Sequence, residues 1–289
     1  MGASALLSEI RAELETAGIE QPEVDAELIV AHVIGVSRGR VGVLAILDEP
    51  ISSDAATRAR DLAEERARRV PLQHLTGRAP FRGIELSVGP GVFVPRPETE
   101  MVAQLAIDAL QKVPDPELIA VDLCTGSGAL ALAIAAEVPA ARVWAVEKSR
   151  EAHAWAERNV AEWGDSRVRL LLGDVAELHA IPELSALAGR VHVLVSNPPY
   201  VPSGMVPRDP EVRDHDPALA LYSGADGLDL IRVISRSARE WVVPGGFLVL
   251  EHAESQGRAI RQLLTADGWR AAATHQDLTG RDRATTAVL

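Results

Sequence analysis

The chain has 289 residues, of which 47% are hydrophobic, 24% charged and 3% aromatic. That balance excludes intrinsic disorder, a collagen-like repeat and a disulfide-stapled miniprotein. The longest uninterrupted aliphatic stretch, residues 129–136, is far shorter than the roughly 20 residues a membrane-spanning helix needs. A formal charge of -12 repels a phosphate backbone and disfavours nucleic acid as a direct partner.

The first residues, MGASALLSEIRAELE, lack a basic start, and Glu9 and Arg11 fall where a signal peptide would be apolar. Export is not expected. Cys124 is the only cysteine, so no internal disulfide can form and a cysteine-based zinc site would lack ligands. A reducing, cytoplasmic setting follows. The eight histidines show no metal-ligand spacing, and no metal is expected.

From residue 6 to about 69, apolar residues recur at helical spacing: Leu6, Ile10 and Leu14; then Val24, Leu28 and Val33; then Leu62. Ser4, Gln21-Pro22 and Ser53-Asp54 serve as start signals, and Gly18 and Gly35 end the first two runs. Residues 1–70 are therefore expected to form a small helical domain. In TRARDLAEERARR, residues 57–69, acids interleave with arginines at ion-pair spacing, which predicts a solvated helix face.

Residues 71–95 change character, with glycines separating short β-prone pieces at 84–88 and 92–94. They read as a hairpin linker. Residues 98–113 return to helical periodicity, and Pro114 and Pro116 close that run. From residue 96 onward the chain reads as one larger domain. Buried-strand runs at 118–123, 142–146, 168–172, 191–196 and 247–251 alternate with helical stretches, and residues 269–289 suggest an antiparallel edge hairpin. Continuous aliphatic strands such as LIAVDL suit a parallel sheet covered on both faces. The predicted architecture is α/β and doubly wound, with ligands at the carboxyl ends of the strands.

The chemistry gathers at those ends. The first of these strands runs into DLCTGSG, where Gly126 and Gly128 allow a sharp turn and close approach to a ligand. GSGALA also fits a relaxed dinucleotide fingerprint, which leaves a nicotinamide or flavin enzyme open at this point. Glu147, at the end of the second strand, stands about 20 residues past that turn, where an acid can hold ribose hydroxyls of NAD or of an adenosyl nucleoside. Asp174 ends the third strand, in position to meet an adenine amino group. The fourth strand ends in Asn197-Pro198-Pro199-Tyr200, for which a dehydrogenase has no physical use.

That tetrapeptide suits a planar, conjugated nitrogen whose lone pair is poorly nucleophilic. The Asn197 side-chain oxygen and the Pro198 carbonyl can both accept hydrogen bonds from one NH2 group. The successive prolines restrict φ and keep those acceptors aimed. The Tyr200 ring can stack on the flat group and exclude water. A sulfonium methyl carbon held in line at about 3–3.5 Å would then transfer with much of its barrier removed by proximity. The implied chemistry is methyl transfer to an amide or an aromatic amine.

DLCTGSG, AVEKS, GDV and SNPPY resemble the nucleotide and target motifs of class I S-adenosylmethionine-dependent methyltransferases. LTGRAPFRGIELSV, FVPRPETE, DPALALYSGADGLDLI and GGFLVLEHAESQG extend the resemblance across essentially the whole chain to the PrmC/HemK family. Its members methylate the glutamine of the Gly-Gly-Gln motif in peptide chain release factors, and they carry a helical amino-terminal domain and a hairpin linker. The resemblance implies that Cys124, Thr125, Gly126, Ser127 and Gly128 line the cofactor together with Asn197. It further implies that Glu147 binds the ribose, that Asp174 lies by the adenine, and that Asn197, Pro198, Pro199 and Tyr200 hold the glutamine amide. Arg96, Pro97 and Glu98 would shape the site without taking part in the chemistry. No general base is evident, and the helical domain would dock the protein substrate.

Three positions depart from the family pattern. Cys124 replaces a usual glycine, which implies that a small side chain suffices there, and direct methyl transfer needs no cysteine nucleophile. Glu147 stands where many members carry aspartate, and Val175 where some carry an aromatic residue. Asp214, His215 and Asp216 read as a solvated loop, while Glu251 and His252 face the ligand end of the sheet in a structural role. The rival readings are glutamine methylation of a ribosomal protein, N6-adenine methylation of nucleic acid, and a binding module without turnover.

Overall fold

The computed structural model describes residues 1–289 as two compact units. The first comprises Met1–Arg78 together with Pro207–His215, and the second Ala79–Val206 with Asp216–Leu289.

The first unit is helical: α1 (Ala3–Thr16), α2 (Pro22–Ile34), α3 (Arg38–Ile46), α4 (Ser53–Ala67) and α5 (Leu72–Thr76). Leu6, Ile10 and Leu14 lie one turn apart on α1 and are completely buried, as their spacing predicts. The starts differ in detail from the sequence signals. Gly2, not Ser4, caps α1, and Ser52, not Ser53, caps α4 by accepting from the Ala55 N–H at 3.2 Å. Helix α3 has no counterpart among the predicted runs, because Gly39 and Gly42 depress its helical propensity. It forms because Ser37 caps it and because Val41 and Leu44 pack into the helical core.

The arginine-rich face of α4 is not uniformly solvated. Arg66 is 8% exposed and lies 2.7 Å from both Asp25 and Glu211, while Arg69 reaches Glu211 at 2.6 Å. Glu211 belongs to the Pro207–His215 segment, so the acid that buries this arginine is remote in sequence and invisible to helical spacing. Only Arg68, paired with Glu64 and Glu65, keeps the local pattern expected of the whole stretch.

The second unit opens with the hairpin β1 (Arg78–Phe81) and β2 (Ile84–Ser87). Residues 92–94, expected as a strand, form none. The flanking Pro90 and Pro95 lack backbone donors, and Val92 and Val94 instead bury completely in the core. Next come α6 (Thr99–Gln111), β3 (Leu118–Leu123), α7 (Ala129–Glu137), β4 (Ala141–Glu147), α8 (Arg150–Asn159), β5 (Val168–Leu172), α9 (Pro182–Ser185) and β6 (Val191–Ser196). The short helix α10 (Pro210–His215) follows in sequence but belongs to the first unit; the second continues with α11 (Ala218–Leu221), α12 (Asp229–Trp241), β7 (Val242–Glu251), α13 (Gly257–Ala266), β8 (Arg270–Gln276) and β9 (Asp282–Val288).

Seven strands form one sheet in the order β5-β4-β3-β6-β7-β9-β8. The first five are parallel; β9 pairs antiparallel with both β7 and β8, which realises the expected edge hairpin. Every residue of β3 is buried because alternate side chains enter opposite cores. Leu118 and Ala120 pack in the cluster that contains α6 and α7, whereas Ile119, Val121 and Leu123 pack in the one that contains α12 and α13. No single helix is long and apolar enough to cross a membrane.

Candidate active site

The pairing register gathers the motifs at one end of the sheet. Leu123 of β3 pairs with Val146 of β4 and with Ser196 of β6; Glu147 pairs with Leu172 of β5, and Ser196 with Leu250 of β7. The residues that follow these positions therefore emerge side by side. The chain winds outward from β3 to β5 and returns to place β6 against β3, which makes this a topological switch point where a crevice opens at the strand ends.

At the end of β3 the backbone turns through left-handed conformations at Cys124, Gly126 and Gly128, with φ of 61°, 58° and 89°. The turn is pinned from below by Asp122, a completely buried residue of β3. Its Oδ2 accepts from the Thr125 hydroxyl at 2.5 Å and from the Ala131 N–H at 3.2 Å. Burial pushes this carboxyl up to about 7, against the lowering effect of those two donors. Its Oδ1 is buried without a protein partner. Ser127 is buried, and its carbonyl accepts from the Asn159 side chain at 2.8 Å.

Glu147 reaches across to the same turn. Its Oε2 accepts from the Gly126 N–H at 2.9 Å and its Oε1 from the Ser149 N–H at 2.7 Å. Burial raises its pKa above the ordinary carboxylate range despite those donors. Asp174 caps the turn after β5 by accepting from the Ala176 N–H at 2.9 Å, and it pairs with Lys148 at 2.8 Å, which holds its carboxyl below the usual range. Val175 is buried in the apolar cluster below. A Cβ on Gly126 would meet nothing within 4 Å, so the turn has an open side. With carboxylates ending β4 and β5, and a buried acceptor on Asp122 lacking a donor, the residues fit a nucleoside bearing hydroxyl, amino and ammonium groups.

Asn197 and Tyr200 leave β6 half-buried, and Pro198 is buried between them. The Tyr200 carbonyl accepts from the Gln256 side chain at 2.9 Å. A Cβ on Gly227 would lie only 2.1 Å from that carbonyl oxygen, so glycine is required where the two backbones meet. Beyond the turn, Val201 bonds to both Leu221 and Ser223, which fixes the exit of the chain. Arg96 sits 2.9 Å from Asp216 and lies over the Phe93 ring at 5.2 Å. Asp216 is therefore buried and paired, where the sequence suggested a solvated loop. His252 holds a structural place: it is completely buried, and its Nε2 lies 2.8 Å from the Thr285 hydroxyl.

Sequence reasoning gave two residues at this site, Asp122 and Thr99, no role, and a third, Glu251, only a structural one. Asp122 and Glu251 are acids at the ends of otherwise apolar strands, and that contrast is the signal that marks them. Thr99 lies within the FVPRPETE motif but has no local feature that distinguishes it; its hydroxyl accepts from the Asn197 side-chain amide at 3.4 Å.

Comparison with known proteins is consistent across the chain. Residues 5–77 match the family described as PrmC N-terminal domain, and residues 120–196 match a methyltransferase domain family. The release factor glutamine methyltransferase of Streptomyces coelicolor is 49% identical over 276 residues, covering 95% of this chain and 93% of that protein. Those of Bifidobacterium longum and Mycolicibacterium smegmatis are 42% and 45% identical, covering 98% and 96% of this chain and 98% and 94% of theirs. The chain belongs to the release factor glutamine methyltransferase family.

The Cys124 position suits glycine for a backbone reason and not for size alone. Its φ of 61° lies in the left-handed region, where a non-glycine residue costs about 1–2 kcal/mol. Burial pushes the thiol pKa up, and Glu147 pushes it further, so the group is no nucleophile. Cys124→Gly is expected to keep the melting temperature at or above that of the parent. Cys124→Val, which puts a branched side chain at positive φ, should lower it by about 2–8 °C. Thermal unfolding of the two variants checks this, and equal values would show that the turn carries no strain at this position.

Proposed function

We propose that this chain transfers the methyl group of S-adenosylmethionine to the side-chain amide nitrogen of the glutamine in the Gly-Gly-Gln motif of peptide chain release factors. The observation that carries the reading is the register that sets Asn197-Pro198-Pro199-Tyr200 beside the glycine turn, with Ser196 opposite Leu123. The names of relatives that align over nearly the whole chain support the substrate.

The cofactor supplies an electrophilic methyl group on a sulfonium centre. Thr125, Gly126, Ser127 and Gly128 line its methionine and ribose portion, Glu147 accepts from the ribose hydroxyls, and Asp174 accepts from the adenine amino group. The Asn197 side-chain oxygen and the Pro198 carbonyl take the two hydrogens of the target NH2, which turns the nitrogen toward the methyl carbon. Tyr200 covers the amide plane and keeps water out. The amide is almost non-basic, so positioning contributes more than proton removal. Forming the C–N bond would break the sulfonium C–S bond and leave S-adenosylhomocysteine, and the methylated nitrogen would then lose its surplus proton to water.

The helical domain, residues 1–70, docks the release factor, with residues 71–95 as the linker and 96–289 as the methyltransferase domain. The exposed Val43 and Ile46 of α3, with Leu47 just after it, supply apolar surface for such a contact. The reading places the protein with its substrate in the cytoplasm. N6-adenine methylation would use the same acceptors, but the charge of -12 opposes a nucleic-acid substrate.

Mass spectrometry of unmethylated release factor incubated with the protein and S-adenosylmethionine tests the proposal. The expected result is one added methyl group on the Gly-Gly-Gln glutamine. Cofactor binding without that product would redirect the search to a ribosomal-protein glutamine or to adenine.

A further inference from the structure

Helix α8 and the π-helical turn that extends it, residues 160–164, run alongside the segment that leaves the hairpin. Trp155, Asn159 and Trp163 stand four residues apart and so share one face. Each holds a backbone group of that segment. The Trp155 indole N–H donates to the Pro90 carbonyl at 3.1 Å, and the Trp163 indole N–H to the Glu85 carbonyl at 3.1 Å. Between them, Asn159 accepts from the Ser87 N–H at 2.7 Å and donates to the Ser87 carbonyl at 2.9 Å. Glycine is required where the segment passes closest, since a Cβ on Gly89 would overlap the Trp155 ring.

Asn159 differs from the two tryptophans because it also reaches the cofactor side. It is completely buried, and its Nδ2 donates to the Ser127 carbonyl at 2.8 Å, in the glycine turn after β3. The Gly128 N–H donates to the Thr125 carbonyl at 2.9 Å, so the peptide group joining Ser127 to Gly128 is held at both of its polar atoms. A carboxamide has two N–H hydrogens, and here one goes to each carbonyl. A reversed amide would set Oδ1 against both carbonyls and lose all three bonds. The turn and the hairpin exit therefore cannot shift independently without leaving a buried polar group unpaired.

We propose that Asn159 is a positioning residue that holds the glycine turn and the hairpin exit in one arrangement, so that filling the cofactor site tightens residues 85–91. The proposal rests on the reading that S-adenosylmethionine binds at that turn. Its consequence for the reaction lies further along the chain. The tightened segment leads within a few residues to Arg96 and Thr99, and the Thr99 hydroxyl accepts from Asn197 at 3.4 Å. Cofactor loading thus steadies the stretch that flanks the amide-binding motif. No change of shape is needed, since restricting the motion of one segment restricts the segment bonded to it.

Hydrogen-exchange mass spectrometry of the full chain, with and without saturating S-adenosylhomocysteine, reads the coupling directly, because the Ser87 N–H is itself one of the bonded groups. Exchange in peptides spanning 124–131 and 85–91 should slow by about threefold or more, while α4 is unaffected. Asn159→Asp keeps the acceptor for Ser87 and loses both donors. In that variant the Kd of S-adenosylhomocysteine should rise about tenfold, and the slowing at 85–91 should disappear. Trp163→Phe also loosens the hairpin but leaves the turn untouched; its Kd should stay within about twofold, and both regions should still slow. A purely structural role would lower melting temperatures without separating the two variants in this way. Slowing at 124–131 without any at 85–91 in the parent would overturn the proposal whether or not Asn159→Asp folds, and so would a folded Asn159→Asp with parental Kd. No binding, or no slowing at 124–131, would remove the cofactor reading itself and this proposal with it.

Discussion

Asn197→Ala is expected to leave a folded protein that binds its cofactor normally and turns over about 10²- to 10³-fold more slowly, the loss typical of removing one aimed polar group from a reacting centre. The structure makes this a clean test. Asn197 is half-buried, and its side chain makes one long contact, 3.4 Å to Thr99, so truncation costs the fold little. In the proposed complex it removes one of two acceptors for the target NH2, and the remaining Pro198 carbonyl would not by itself fix a carboxamide that can turn about its own side chain. Single-turnover rates with saturating cofactor, read beside the melting temperature, check the prediction. Near-parental turnover would refute Asn197 as the acceptor, and a large drop in melting temperature would reassign it to structure.

Glu147→Ala should give the opposite kinetic signature. The carboxylate supplies charge-assisted hydrogen bonds to two ribose hydroxyls in the proposed complex, and their loss should raise the cofactor Kd by about 10²-fold or more. At saturating cofactor kcat should fall less than about tenfold, since uniform binding is lost and not an interaction specific to the transition state. Glu147 also holds the Gly126 and Ser149 amides, so part of the loss comes from loosening the turn. The pH dependence follows from the raised pKa: the ionised form is the acceptor, so affinity declines as pH falls and begins to do so above the ordinary glutamate range. Calorimetric titration with S-adenosylhomocysteine at several pH values measures both effects. An unchanged Kd would remove Glu147 from the cofactor site.

Much of the sheet that carries this candidate site was legible in the sequence. The aliphatic runs of β3 and β6 announced a sheet buried on both faces. The motif that ends each run then had to emerge at a shared edge, because parallel strands point their carboxyl ends the same way. The edge hairpin at residues 269–289 was equally visible from its two β-like pieces and the loop at Gly280. Helix α3 was not legible, because its glycines erase the local propensity that tertiary packing of Val41 and Leu44 overrides. Residues 92–94 misled for the converse reason: β-prone side chains were buried without a strand partner.

The sequence by itself determined the fold class, the strands of the main sheet and the motifs that end them, since each depends on local periodicity or on a motif whose parts lie within a few positions. Only the tertiary structure decided which polar groups are paired: Arg66 with Glu211, Arg96 with Asp216, and Thr99 with Asn197. Periodicity reports which face of an element is buried. The partner of a buried charge comes from wherever the sheet order and the chain's return paths bring another segment alongside, and no spacing rule within one element carries that information.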